Sequence, residues 1–235
     1  MIRKIILFAL VLQVTACGEL QGILDTTGGS VLSNLQIADG LKEALQKGVS
    51  QRVTKLGEAD GFMKNELVKI VLPAELQKVD QTLRNIGLSS LADEGLKVLN
   101  RAAEDAVKTA IPIFKDAIVN MSFTDAKDIL MGEQNAATLY LQNSTSTELR
   151  AKFSPIIQNS FQKVGADKVW ENLITKYNRI PLVSKVNPDL TNYVTGEALK
   201  GVFTMVAVEE LKIRTDIKSR TSNLLQRVFA LQDNK

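Results

Sequence analysis

From Leu41 onward, apolar residues in this chain recur every three or four positions, the spacing that lines one face of an α-helix. Alternation by two, the mark of a half-buried strand, is confined to Val68, Ile70 and Leu72. Stripes of this kind are buried by packing helix on helix. The expected fold is therefore mainly α: a single multi-helix bundle-like domain, with room for one short extended or β segment near 66–72.

Punctuation divides the pattern into elements. Leu41, Leu45, Val49 and Val53 form a first stripe that ends near Gly57, and Asp60-Gly61-Phe62 reads as a turn. Pro73 suits the first turn of a helix carrying Leu76, Val79, Leu83 and Ile86, which Gly87 stops. Ser89 is the expected cap of a long helix with Leu91, Leu96, Leu99, Ala103, Ala106 and Val107. Pro112 should kink or break it, because proline lacks the amide proton and clashes with the preceding turn. The pattern resumes through Ile113, Phe114, Ala117 and Ile118 to Met121.

Ser122 with Asp125 predicts a capping box for a short helix ending at Gly132. Thr145 with Glu148 predicts another, opening a helix through Phe153, Ile156, Ile157, Phe161 and Val164 that Gly165 ends. Residues 167–178 form an amphipathic helix around Trp170. Asn187 and Pro188 predict the cap and first position of a strongly apolar helix running to about Arg214. Thr221 is the expected cap of a last short helix holding Leu224, Leu225, Val228 and Phe229. Internal repeats and a second linker are both lacking, so residues 38–235 are read as one domain.

Ahead of that domain, Cys17 closes the tetrapeptide Val14-Thr15-Ala16-Cys17 behind an apolar run from Ile5 to Leu12, itself preceded by Arg3 and Lys4. The run is too short for a spanning helix, which needs ~20 apolar residues, so residues 1–16 read as a signal peptide. A cysteine at the first mature position resembles the lipobox of bacterial lipoproteins, which makes Cys17 the expected lipidation site. Residues 17–37, with Gly28-Gly29-Ser30 at their centre, read as lipidated terminus and flexible tether, although a helical pattern begins from Val31. Gly18 follows the cysteine where aspartate would favour inner-membrane retention, so the periplasmic face of the outer membrane is expected.

What the composition lacks limits the chemistry. With no histidine in the chain, Ser-His-Asp and Cys-His catalysis and His-containing metal sites are excluded. The single cysteine is assigned to lipid, so thiol nucleophiles and disulfides are excluded as well, and the fold must rest on its core. The 29 basic residues include Arg3 and Lys4, and the 27 that remain nearly balance 26 acidic ones. No Lys/Arg block stands out, which argues against nucleic acid as a partner.

Seven strings then recur in an order that is similar to one bacterial family, the lipoproteins grouped as domain of unknown function 4197. They are Asp60-Gly61-Phe62, Leu99 to Glu104, Asp125 to Leu130, Ala136 to Tyr140, Tyr193 to Thr195, Glu209 to Arg214, and Thr221 to Phe229. The resemblance implies a mostly helical, exported, lipid-anchored protein and carries no reaction with it.

The charged residues in these strings are the candidate polar network or binding site: Asn100, Arg101, Glu104, Glu209, Glu210 and Arg214. Arg101 and Glu104 share a helix face at i,i+3, and Glu210 and Arg214 at i,i+4. The expectation is a single charge network of Arg101, Glu104, Glu210 and Arg214, structural in character, with Arg101 or Arg220 neutralising the buried carboxylates. Asp125 and Asp128 lack the spacing of a calcium loop, and neither a catalytic residue nor a metal or cofactor site is assigned.

Function is accordingly expected to be that of a non-enzymatic binding or scaffolding module. Its partners are the membrane, through Cys17, and a protein or apolar ligand. Two further readings are kept: a carrier of a small apolar or amphipathic ligand in a helical cavity, and a carboxylate-based hydrolase. Oligomeric state is left open.

Overall fold

The computed structural model describes residues 32–72, 77–85, 87, 89–179, 181–182, 185 and 189–233. Residues 1–16, Cys17 and most of the 17–37 stretch lie outside the described residues, as do Pro73, Leu76, Ile86, Asn187 and Pro188. Among the described residues there are helices and turns but no strand. The elements run α1 Asn34–Gly57, α2 Gln77–Asn85, α3 Ser89–Val107, α4 Ala110–Val119, α5 Phe123–Met131, α6 Ala136–Val164, α7 Ala166–Tyr177, α8 Leu190–Thr215 and α9 Asn223–Asp233. A 3-10 turn at Ile217–Ser219 separates the last two.

α8 is the organising element. It packs against α1, α3, α6 and α7, and it buries neighbouring positions such as Gly201, Val202 and Phe203 rather than one narrow stripe. A helix covered on several sides must be apolar on several sides, which its sequence satisfies. α1 lies alongside it and presents Leu41, Ala44, Leu45, Val49, Val53 and Leu56, all buried at helical spacing. Phe114 of α4 meets Phe203 of α8 edge to face, with ring centroids 5.9 Å apart at 84°, an arrangement that suits the two ring quadrupoles.

Several boundaries differ from those expected. α1 begins at Asn34, so positions 34–37 are helical rather than tether. α3 ends at Val107 and α4 starts afresh at Ala110, which puts Pro112 in a first turn where its missing amide proton costs little. The Ser122–Asp125 capping box is present with both reciprocal bonds.

The Thr145–Glu148 box is not a helix start. α6 begins nine residues earlier, and the Thr145 hydroxyl donates back to the Leu141 carbonyl at 2.6 Å, the alternative bond open to a mid-helix threonine. The same helix passes through Pro155, which lies on its exposed side together with Ala151, the residue whose carbonyl the proline cannot bond. Its end is as expected: Gly165 adopts the left-handed φ of 68° that only glycine takes without strain.

Two caps shift by one or two residues. Asp189, not Asn187, caps α8 by accepting from the Asn192 amide at 2.9 Å. Ser222, not Thr221, caps α9 by accepting from Leu225 at 3.2 Å. The 66–72 segment is not a strand; after a turn at Asn65–Val68 it continues without regular structure, yet Val68 and Ile70 are buried. No helix among the described residues is long and apolar enough to cross a membrane.

Candidate functional site

The six candidate residues fall into separate clusters that share no partner, which overturns the single network expected from their spacing. The first is built on α3. Asn100 is fully buried. Its side-chain oxygen accepts from the Ile70 amide at 2.9 Å, while its amide donates to the Ile70 carbonyl and the Leu96 carbonyl, each at 2.8 Å. Asn100 thus gives Ile70 the pair of bonds that a neighbouring strand would give, and this is how the irregular segment is held without a sheet.

One turn along α3, Glu104 is 2% exposed and accepts from the amides of Phe62 and Met63 at 3.1 and 3.4 Å. Arg101 donates to Glu104 and to Asp60, both at 2.6 Å. Asp60 has a φ of 68°, a left-handed conformation that Asp tolerates better than most residues. Gly61 follows because an added Cβ would meet the Leu56 and Lys55 carbonyl oxygens at 2.4 Å. Hydrogen bonding to Lys64 and the nearby Arg101 charge hold the Asp60 carboxyl below the usual carboxylate range. The whole cluster clasps the turn after α1 onto α3.

The second cluster is built on α8. Glu210 accepts from the Ala137 and Thr138 amides at 2.9 and 2.7 Å, and from the Thr138 hydroxyl at 2.7 Å. These are amides of the first turn of α6, whose own N-cap Asn135 supplies no side-chain bond. A carboxylate from another helix therefore does the capping, at the positive end of the α6 dipole. Arg214, one turn on, donates to Glu210 at 2.8 Å and to the carbonyls of Ile129 and Leu130 at 2.8 and 3.1 Å. Those carbonyls end α5. A single i,i+4 pair on α8 thus terminates one helix and starts the next, and both members are buried.

Glu209, which faces a different direction, pairs at 2.6 Å with Arg52 of α1 and not with Arg101 or Arg220. Arg220 instead closes the C-terminus of α8 by donating to the Ile213 and Arg214 carbonyls at 3.1 and 2.8 Å. It also pairs with Asp233 at 2.8 Å and lies 5.6 Å from the Phe229 ring centroid. The Arg220 hydrogen bond is the main cause that holds the Asp233 carboxyl below the ordinary range.

A depressed native pKa adds stability above the unfolded value and loses it as pH falls through the native one. Asp233→Asn should therefore lower the unfolding midpoint at pH 7 and progressively lose that effect at acid pH, as the native carboxyl becomes protonated too. Urea denaturation at neutral and at acid pH checks it; an equal difference at both would mean the ion pair contributes nothing.

Residues missed from sequence complete these clusters: Arg52, Asp60, Thr138 and Asp233. Only Asp60, as the head of an Asp-Gly turn, and Thr138, within the Ala136 to Tyr140 string, carried a signal.

Outside the clusters, α6 and α8 frame an open groove of about 460 Å³. Leu139, Leu199 and Phe203 give it an apolar lining, Gln142, Arg150 and Lys200 a polar and cationic one, and no carboxylate lines it. Among the described residues no three of His, Cys, Asp and Glu gather as a metal site would require.

No curated protein and no solved structure was found to match the chain. A family model described as "Protein of unknown function (DUF4197)" matches residues 31–230, from just before α1 to most of the way through α9, and the chain belongs to that family.

Proposed function

We propose that the chain is exported, acylated on Cys17 and held at the envelope membrane, on the periplasmic face of the outer membrane, and that its helical domain is a non-enzymatic binding module. The signal pattern of residues 1–16 and the lipobox-like Val14 to Cys17 support the anchor. The observation that carries the binding role is the α6/α8 groove. Its volume of about 460 Å³ falls within the ~300–1,000 Å³ of ligand-sized clefts. Apolar residues beside Arg150 and Lys200, with no acid among them, suit an acidic amphipathic segment of a partner protein.

The two other readings have less behind them. A carrier needs an internal apolar volume, and the gap among Leu41, Leu45, Ala137, Glu210, Arg214 and Phe229 holds about 10 Å³, no more than a single water needs. A hydrolase needs convergent free carboxylates. In the depression of about 390 Å³ that Glu58 and Asp60 line, Asp60 is already engaged by Arg101 and Lys64.

Growth with an alkyne palmitate analogue should label the native chain and not Cys17→Ser; an unlabelled native chain would refute the anchor. A photo-crosslinking residue in place of Gln142, activated in intact cells, should yield one adduct of protein mass. An adduct of lipid or metabolite mass, or none, would overturn the assignment of the groove to a protein partner.

A further inference from the structure

On the face away from that groove, three elements bring lysines to one pocket: Lys47 from α1, Lys212 from α8 and Lys218 from the 3-10 turn. Thr221 and Ser219 line it as well, and its volume is about 220 Å³. Lys47 is far in the chain from the others and meets them because Gly48 lets α1 approach α8, where an added Cβ would stand 2.9 Å from Glu209 Cγ. Lys47 is set in place by donating to the Thr221 hydroxyl at 2.6 Å, a contact across 174 positions of sequence.

The charges here do not cancel. The one carboxylate that lines the pocket, Glu209, is taken by Arg52 at 2.6 Å. Asp216 senses two of these lysines, and its carboxylate accepts from the Ser219 hydroxyl and the Lys218 amide. The positive fields of Lys212 and Lys218 help those bonds to hold the Asp216 carboxyl below its ordinary range. None of the three lysines has a carboxylate within 4.0 Å among the described residues. Among the residues that line the pocket, three cations thus stand against one anion, a net excess of two positive charges around a concave site. Like charges gathered without counter-ions repel one another unless an anion joins them.

We propose that the pocket of Lys47, Lys212 and Lys218 binds a phosphate-bearing anion. A phosphate monoester carries about two negative charges near pH 7 and accepts several hydrogen bonds. It therefore matches the excess charge and the donors of three ammonium groups and the Thr221 hydroxyl, the Ser219 hydroxyl being spent on Asp216. The size agrees: about 220 Å³ lies below the ~300 Å³ at which pockets for drug-sized ligands begin, and suits a compact group. The same chemistry is offered by a free phosphoester and by the headgroup of an anionic phospholipid.

The protein isolated from its own cells in a non-ionic detergent would be titrated calorimetrically with inorganic phosphate. A second arm would use micelles of that detergent doped with phosphatidic acid, whose headgroup is a phosphate monoester. Saturable binding in either arm is expected, weakened about tenfold by Lys212→Ala and further by adding Lys47→Ala. Lys163→Ala, at the exposed C-terminal end of α6 and outside both sites, should leave it unchanged. Binding of inorganic phosphate points to a soluble phosphoester, and binding of the doped micelles alone to a lipid headgroup. Absence of saturable binding in both arms, or binding that the double substitution leaves intact, overturns the proposal. The substituted side chains are exposed, so the variants should fold, which an unchanged circular dichroism spectrum verifies.

Discussion

Glu210→Ala should be among the most destabilising single changes in this protein, lowering stability by about 3–5 kcal/mol. The substitution strands the Arg214 guanidinium, whose side chain is 2% exposed, with no counter-charge. It also removes the acceptor from two amides of the first turn of α6 and from the Thr138 hydroxyl. For a domain of this size each kcal/mol moves the thermal midpoint by about 2–4 °C, so a fall of about 6–20 °C is expected in a melt followed by circular dichroism. A loss under about 2 °C would refute the account. The charge argument has its own control. Glu210→Met with Arg214→Met removes both buried ions together and should recover part of the loss. Failure of the pair to recover anything would assign the effect to the lost α6 cap alone.

The same cluster shows what can and cannot be read from sequence. That Glu210 and Arg214 share a helix face followed from their spacing, because helical geometry is local. That they cap α6 and α5 did not, because capping by a distant residue depends on where α8 crosses those helix ends. The Thr145–Glu148 pattern misled for a related reason. A Ser/Thr-x-x-Glu string marks a helix start only if the chain before it is not helical, and here Ala136 to Ser144 already is, started by Glu210 from outside. Local signals with local partners held: the Ser122–Asp125 box, the Gly165 stop, the stripe of Leu41, Leu45, Val49 and Val53. The lysine pocket had no sequence signature at all, since Lys47 and Lys218 are separated by most of the domain and no run of basic residues marks either. A near-neutral total charge conceals a strongly polarised surface whenever the fold sorts the signs.

Asn100→Asp is the sharpest test of how the irregular segment at 69–72 is held, because it changes the donor chemistry of a side chain and almost none of its shape. The native amide gives two hydrogen bonds to carbonyls and takes one from the Ile70 amide. A carboxylate keeps the last and turns the other two into contacts between an anion and carbonyl oxygens, in a site that is 0% exposed. Burying an uncompensated charge costs about 3–5 kcal/mol, and nothing nearby relieves it, since Arg101 is already committed to Glu104 and Asp60. The variant also carries a distinctive pH dependence. Burial and the facing carbonyls raise the native pKa of the new carboxyl above its unfolded value. The protonated form, which regains one donor, is therefore favoured by folding, and the deficit against the native protein should shrink as pH falls from 7 toward about 5. Asn100→Ala lacks the proton and should show a deficit that stays level over that range. Denaturant titrations of the three proteins at both pH values decide the matter: parallel behaviour of Asn100→Asp and Asn100→Ala would mean that Asn100 fills space, and that the bonds to Ile70 and Leu96 do not hold the segment.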